Sequence, residues 1–189
     1  NPFVNSPDKR KEIWAYGFRN PNRMTWDESG RLLATDIGKS NIEELNVVEP
    51  GKFYGWPIRE GTIQLNPYGD INKAYQLPDN DADYSVTYPL IQFDHDDGNA
   101  ISGGFIAKGS PLNGKYIFGD VPRGILYISD LNVEKPVIQT LKASIDNELI
   151  DFHKLCGSRR VDLRFGKGCS GEVYIYTKAD GKVYKIKEK

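Results

Sequence analysis

A short pattern returns three times along the chain and constrains its fold more than any other feature. Gly30-Arg-Leu-Leu-Ala-Thr-Asp36, Gly114-Lys-Tyr-Ile-Phe-Gly-Asp120 and Gly171-Glu-Val-Tyr-Ile-Tyr-Thr177 each open on a turn glycine and continue as an apolar, β-prone strand. A second strand-like stretch follows each copy, at 44–48, 124–128 and 181–186, and another precedes it, at 23–26, 102–107 and 161–165. The repeated unit is therefore a three- or four-stranded antiparallel meander. Meanders that recur about every 40–50 residues are the sequence mark of propeller blades, whereas a sandwich would not repeat such a unit. The expected fold is all-β: a partial β-propeller of about three antiparallel blades, led by a strand at 12–17. Propeller rings hold roughly four to eight blades, so these alone cannot close one.

Composition agrees. The 19 Gly, 11 Pro and 11 Tyr are hard to place in helices, because Gly and Pro interrupt them and aromatic side chains favour pleated surfaces. The 25 basic and 26 acidic side chains nearly cancel, which excludes an electrostatic nucleic-acid partner. No apolar run approaches the ~20 residues of a membrane span, and Asn1-Pro2-Phe3 has no signal-like character. Met24 is the sole methionine, so the chain is expected to be processed or cut from something longer. The whole of 1–189 is expected to belong to one propeller domain, with 57–85, rich in Pro, Asn and Asp, as a loop excursion. Trp14, Trp26 and Trp56 are expected to be core or blade-packing aromatics. Cys156 and Cys169 flank a candidate strand and are either two free thiols or a disulfide across a hairpin.

Several catalytic patterns nearly form and fail on chemistry. Gly109-x4-Gly114-Lys115 lacks the hydroxyl that would hold magnesium, since Tyr116 follows, and it leads into a strand instead of a helix. Gly166-x-Gly168-x-x-Gly171 likewise runs into β structure and offers no helix N-terminus to a phosphate. The acidic runs 79–83 and 94–97 lack the sixth-position Gly and twelfth-position Glu of a calcium-binding helix-loop-helix. His95 and His153 lie far apart and outside any zinc-type spacing.

A more specific text begins at Glu12-Ile-Trp-Ala-Tyr-Gly-Phe-Arg-Asn-Pro21. Together with Asp36-Ile-Gly38, Glu43-Glu-Leu-Asn46, Tyr54-Gly-Trp-Pro57 and Ser102-Gly-Gly104 it resembles the glucose/sorbosone dehydrogenase family, the soluble six-bladed propellers that use pyrroloquinoline quinone (PQQ). The endings Val161-Asp-Leu-Arg-Phe-Gly166, Gly171-Glu-Val-Tyr174 and Lys178-Ala-Asp-Gly181 extend the resemblance, in order, over nearly the whole chain. The resemblance implies the C-terminal half of a PQQ- and calcium-dependent sugar dehydrogenase, acting on an aldose or a related sugar alcohol in the periplasm or outside the cell. It also implies a partner in the missing N-terminal half of the ring, or self-association in its place. The family's catalytic His lies in blades preceding Glu12, and neither His95 nor His153 matches it, so no catalytic residue is assigned. Arg19 and Asn20 match the family's cofactor-contacting pair. Arg159 matches an Arg that contacts a cofactor carboxylate, although the second Arg expected two positions on is Val161. Arg123 lies where some members place a cofactor-facing cation. Gly38 and Lys39 match positions whose carbonyls hold the cofactor's calcium, and Glu44 and the Tyr54 carbonyl match a second calcium site. The same fold occurs in Hedgehog-interacting proteins, so a non-catalytic extracellular binding propeller is the alternative.

Overall fold

The computed structural model describes residues 1–109 and 112–187; the remaining four, including two within the Gly109–Gly114 segment, lie outside the described residues. The chain divides into two compact units, Asn1–Trp26 with Gly30–His95, and Asp27–Ser29 with Asp96–Lys189.

The first unit is built on β1 (Pro21–Trp26), β2 (Leu32–Asp36) and β3 (Ile42–Val47), with two short strands, β4 (Arg59–Glu60) and β5 (Ile63–Gln64), inserted before β6 (Ile91–Asp94). β1, β2, β3 and β6 form an antiparallel four-stranded sheet in that order. The first repeat supplies its hairpins: Gly30 turns with φ +85° between β1 and β2, as its lack of Cβ permits. Residues directly opposite one another share a face. Leu33, Leu45, Ile91 and Phe93 therefore lie on one buried face, while Ala34, Asp36, Glu44 and Asn46 lie on the other. That second face carries a small core of Ala34, Val48 and Tyr54, packed against Ala15, Phe18 and Leu32. It also places the carboxylates of Asp36 and Glu44 at paired positions.

The expected leading strand at 12–17 is not formed. Only Tyr16 makes a bridge, to Phe53, and the two rings stack with centroids 5.2 Å apart. The segment is instead tied alongside 51–56 by backbone hydrogen bonds, the N–H groups of Gly51, Tyr54 and Trp56 donating to the carbonyls of Trp14, Tyr16 and Gly17 and that of Tyr16 to the Lys52 carbonyl, and Gly17 then turns with φ +83°. The excursion at 57–85 is ordered. It contains the β4–β5 hairpin and a 3-10 turn at Asp81–Tyr84, and the buried Arg59 guanidinium ties the two by donating from Nε (2.9 Å) and Nη2 (2.7 Å) to Asp81. Tyr88 also donates its hydroxyl to Asp81.

The second unit holds β7 (Ile101–Ile106), β8 (Tyr116–Asp120), β9 (Leu126–Ser129) and β10 (Gln139–Thr140), which form a four-stranded antiparallel sheet. A hairpin of β11 (Ser144–Ile145) and β12 (Glu148–Leu149) and one short helix, α1 (Phe152–Cys156), follow. β13 (Leu163–Lys167), β14 (Val173–Thr177) and β15 (Lys182–Lys185) make a three-stranded antiparallel sheet. Its core gathers Ile117, Leu126, Phe152, Val161, Leu163, Phe165, Val173 and Ile175. Gly104 is required where β7 bulges against β8: a Cβ there would lie 1.4 Å from the Ile117 carbonyl oxygen. The three repeats are thus three antiparallel sheets, and the fold is nearly all-β.

Trp14 and Trp26 depart from expectation, being 42% and 62% exposed rather than packed. Cys156 and Cys169 are both free thiols. Among the described residues no helix is long and apolar enough to cross a membrane.

Candidate functional site

The loop between β2 and β3, residues 37–41, is densely hydrogen-bonded. Two buried carboxylates hold it. Asp36, at the end of β2, accepts the backbone N–H groups of Arg19 (2.8 Å) and Asn20 (2.6 Å), fixing the segment that enters β1 against the segment that leaves β2. Glu60, on β4, receives the N–H groups of four consecutive residues: Lys39 on Oε2 at 3.0 Å, and Ser40, Asn41 and Ile42 on Oε1 at 3.3, 2.7 and 2.8 Å. Successive N–H groups turned on one anion form a nest, which satisfies donors that would otherwise be orphaned in a tight loop. Gly38 admits the tightness, because a Cβ there would lie 1.9 Å from the Ile42 carbonyl oxygen.

Arg19 crosses the mouth of this loop. Its Nη1 donates to the Ile37 carbonyl at 2.9 Å and to the Gly38 carbonyl at 2.7 Å, and its guanidinium lies 5.6 Å from the centre of the Trp56 ring. Nε and Nη2 make no hydrogen bond among the described residues, so the other edge of the fork is left to a ligand. Asn20 and Lys39 flank it, their side chains exposed. Arg19, Asn20, Gly38 and Lys39, four of the residues singled out by resemblance, therefore come together around one loop.

Glu44 lies on the same sheet face, buried. It accepts the Gly61 N–H at 2.5 Å and the Asn46 side-chain amide at 3.0 Å. Burial pushes its carboxyl up from the ordinary 4.5 to about 7; the charges of Asp36 and Glu60 push the same way, against those two hydrogen bonds. Asp36 is also raised, chiefly by burial, with the Arg19 and Asn20 N–H groups opposing. Tyr54 is buried through its side chain: the ring stacks on Phe18 at 4.4 Å, and the hydroxyl donates to the Val47 carbonyl at 2.6 Å. His95 contacts the fully buried Glu43 at 2.9 Å, within the same unit.

The donor set can be tested against the groups that the resemblance implies. An acidic, planar cofactor fits Arg19, whose open edge can take a carboxylate bidentately. For calcium the two places differ. Beside Glu44, the buried Asn46 carries an Oδ1 with no hydrogen-bond partner, so a carboxylate and an orphaned amide oxygen of the kind calcium prefers lie together. At Gly38 the carbonyl is already taken by a guanidinium, and a cation there does not fit this arrangement. Among the described residues no group of three or more His, Cys, Asp or Glu could hold a metal ion.

In the second unit, Arg123 is a structural clamp. Its Nε donates to Asn99 (2.7 Å) and its Nη1 to the Asp96 carbonyl (2.9 Å), while its N–H joins those of Asn99 and Ala100 on the buried Asp120. Arg159 is exposed, beyond the helix cap at Gly157. Asp36 and Glu60 are the site residues that motif reading passed over as such. Asp36 stood inside a quoted motif, but Glu60 bonds to backbone N–H groups roughly twenty positions away and carries no local signal.

A family model described as Glucose / Sorbosone dehydrogenase matches residues 1–185. HIPL2 protein of Arabidopsis thaliana is 29% identical over 132 residues, covering 64% of this chain and 18% of that protein. The apo-form structure of the soluble aldose sugar dehydrogenase from Escherichia coli superposes with a TM-score of 0.68 at 25% identity, over 98% of this chain and 49% of that one. The PQQ-bound aldose sugar dehydrogenase of Streptomyces coelicolor gives a TM-score of 0.64 at 19% identity, over 97% of this chain and 48% of that one, and shares the fold. The chain thus spans about half the length of these structural relatives.

Proposed function

The chain belongs to the glucose/sorbosone dehydrogenase family, and we propose that its antiparallel blades form the C-terminal half of a quinoprotein sugar dehydrogenase and supply part of the PQQ site. The observation that carries this reading is Arg19. A half-buried guanidinium is locked at its backbone by Asp36 and at Nη1 by two carbonyls, with its remaining donors open. Such a cation cannot lose its charge and is held ready for carboxylate or quinone oxygens, so little ordering entropy is spent on binding.

When bound, PQQ would supply a two-electron acceptor for the oxidation of a sugar hydroxyl. Arg19 binds and orients its acidic groups, and the exposed Asn20 amide offers a neutral donor beside it. Arg159 is a further exposed cation that we assign to a cofactor carboxylate. Arg123 contributes by holding the loop at 96–100. Glu44, with the Asn46 amide oxygen and the Tyr54 carbonyl, is our proposed place for a structural calcium ion. Sugars or sugar alcohols are the proposed substrates, and the periplasm or the cell exterior the proposed location. The rest of the ring, or a second copy, is the proposed partner. The similarity to HIPL2 protein favours one other reading, a binding propeller without turnover.

The test is reconstitution of the full-length protein with PQQ and calcium, followed by aldose-dependent reduction of a dye. Turnover that Arg19→Ala reduces supports the quinoprotein reading. Absence of turnover at high PQQ and calcium concentrations, together with no PQQ binding by calorimetry, refutes it in favour of the binding propeller.

A further inference from the structure

Two successive backbone carbonyls in a tight loop are the kind of hard-oxygen pair that a calcium ion takes. Here the carbonyls of Ile37 and Gly38 are bridged by one nitrogen, Nη1 of Arg19, at 2.9 and 2.7 Å. Nη1 carries two N–H groups, one for each carbonyl, so the bridge is complete. The contact is fixed from both sides. Asp36 holds the Arg19 and Asn20 backbone, Glu60 holds four N–H groups of the loop, and Gly38 leaves no room for a Cβ. Arg19 is therefore not a surface side chain that rests on the loop by chance. A divalent cation on the Gly38 oxygen would face a fixed positive charge on the same atom, with the Lys39 side chain next along the chain.

We propose that Arg19, by bridging the Ile37 and Gly38 carbonyls, takes the Gly38 oxygen away from the Gly38–Lys39 carbonyl pair expected to hold calcium and stands in for the ion, so that this site takes a planar polycarboxylate ligand without a divalent cation. The ligand's acidic groups meet Nε and Nη2 directly, while Nη1 remains the strut to the loop. The inference rests on the PQQ-site reading, for which PQQ is the probe. It leaves the separate Glu44 position untouched, since that position lies away from the guanidinium's hydrogen bonds.

The experiment is calorimetric titration of PQQ into the full-length protein, once in EGTA and once in saturating calcium, for wild type, Arg19→Met and Arg19→Lys. The expected result is equal wild-type affinity in the two buffers. Arg19→Met should bind about tenfold to a hundredfold more weakly in EGTA, as the loss of a charged hydrogen-bonding partner implies, and should regain affinity when calcium can reach the vacated carbonyls. Arg19→Lys, which keeps the charge and not the fork, should fall between them. Wild-type binding that requires calcium would overturn the inference and leave the PQQ site standing. Absence of PQQ binding in both buffers would overturn the inference together with the reading on which it rests.

Discussion

Replacing Glu60 by Ala removes the acceptor of four consecutive N–H groups at once. Of these donors the Ile42 N–H is buried, and those of Lys39, Ser40 and Asn41 are partly so. A buried N–H left without a partner costs about 1–3 kcal/mol, and partly buried donors recover some of that from water. Together with the cavity, the loss should come to about 3–5 kcal/mol, the range for breaking a buried charged network. Glu60→Gln should cost less, about 1–3 kcal/mol, because its amide oxygen can keep the three N–H groups on the Oε1 side while its NH2 faces that of Lys39. Urea denaturation of the three proteins measures the order, and hydrogen exchange at 39–42 locates it. A Glu60→Ala protein within about 1 kcal/mol of wild type, with those amides still protected, would refute the nest as the element that shapes the loop.

Glu44 should make stability depend on pH. Its folded value of about 7 lies above the ordinary 4.5, so folding takes up a proton; the contribution is full below pH 4.5 and is lost as pH rises through 7. That difference is worth about 3 kcal/mol, and Asp36, also raised, acts in the same direction. Glu44→Gln should flatten the profile measured by denaturation between pH 5 and 8. Gly38→Ala should destabilise by at least about 1–3 kcal/mol, since its Cβ would meet the Ile42 carbonyl at 1.9 Å, and thermal melting reads it. Arg59→Ala should loosen the excursion, seen as faster limited proteolysis within 66–83, because Asp81 loses its ion-pair partner and keeps only the Tyr88 hydroxyl. In a thiol-reagent assay Cys169, being exposed, should react ahead of Cys156, whose thiol is pushed up chiefly by burial.

Much of the fold was legible because its signal is local. A glycine that must turn with positive φ, followed by an alternating apolar strand, marks β2, β8 and β14 within a few residues of their bounds. The outer strand β10 was missed for a physical reason: Gln139–Thr140 is two exposed residues that pair with β9; β6 was missed although Ile91 and Phe93 alternate inward, because its partner β3 lies more than forty residues earlier, across the excursion. The segment at 12–17 misled in the opposite sense, since its pairing with 51–56 is confined to one bridge at Tyr16 and a few backbone hydrogen bonds, too short a run to make a strand. Arg19, Asn20, Gly38 and Lys39, which come together around one loop, were legible as a group because they sit in contiguous motifs. Glu60 was hidden because a carboxylate that binds backbone N–H groups asks nothing of its partners' side chains, and so leaves no pattern there. Arg123 was read from the sequence as a cofactor-facing cation, and the Asn99 and Asp96 groups that engage it could be seen only in three dimensions.

The central claim is that the Arg19 loop receives the cofactor, and hydrogen exchange of the full-length protein with and without PQQ tests it most directly. Added protection at 19–20 and through 37–42, lost in Arg19→Met, is the expected result. Protection confined to other segments, or none at a PQQ concentration that saturates turnover, would contradict it.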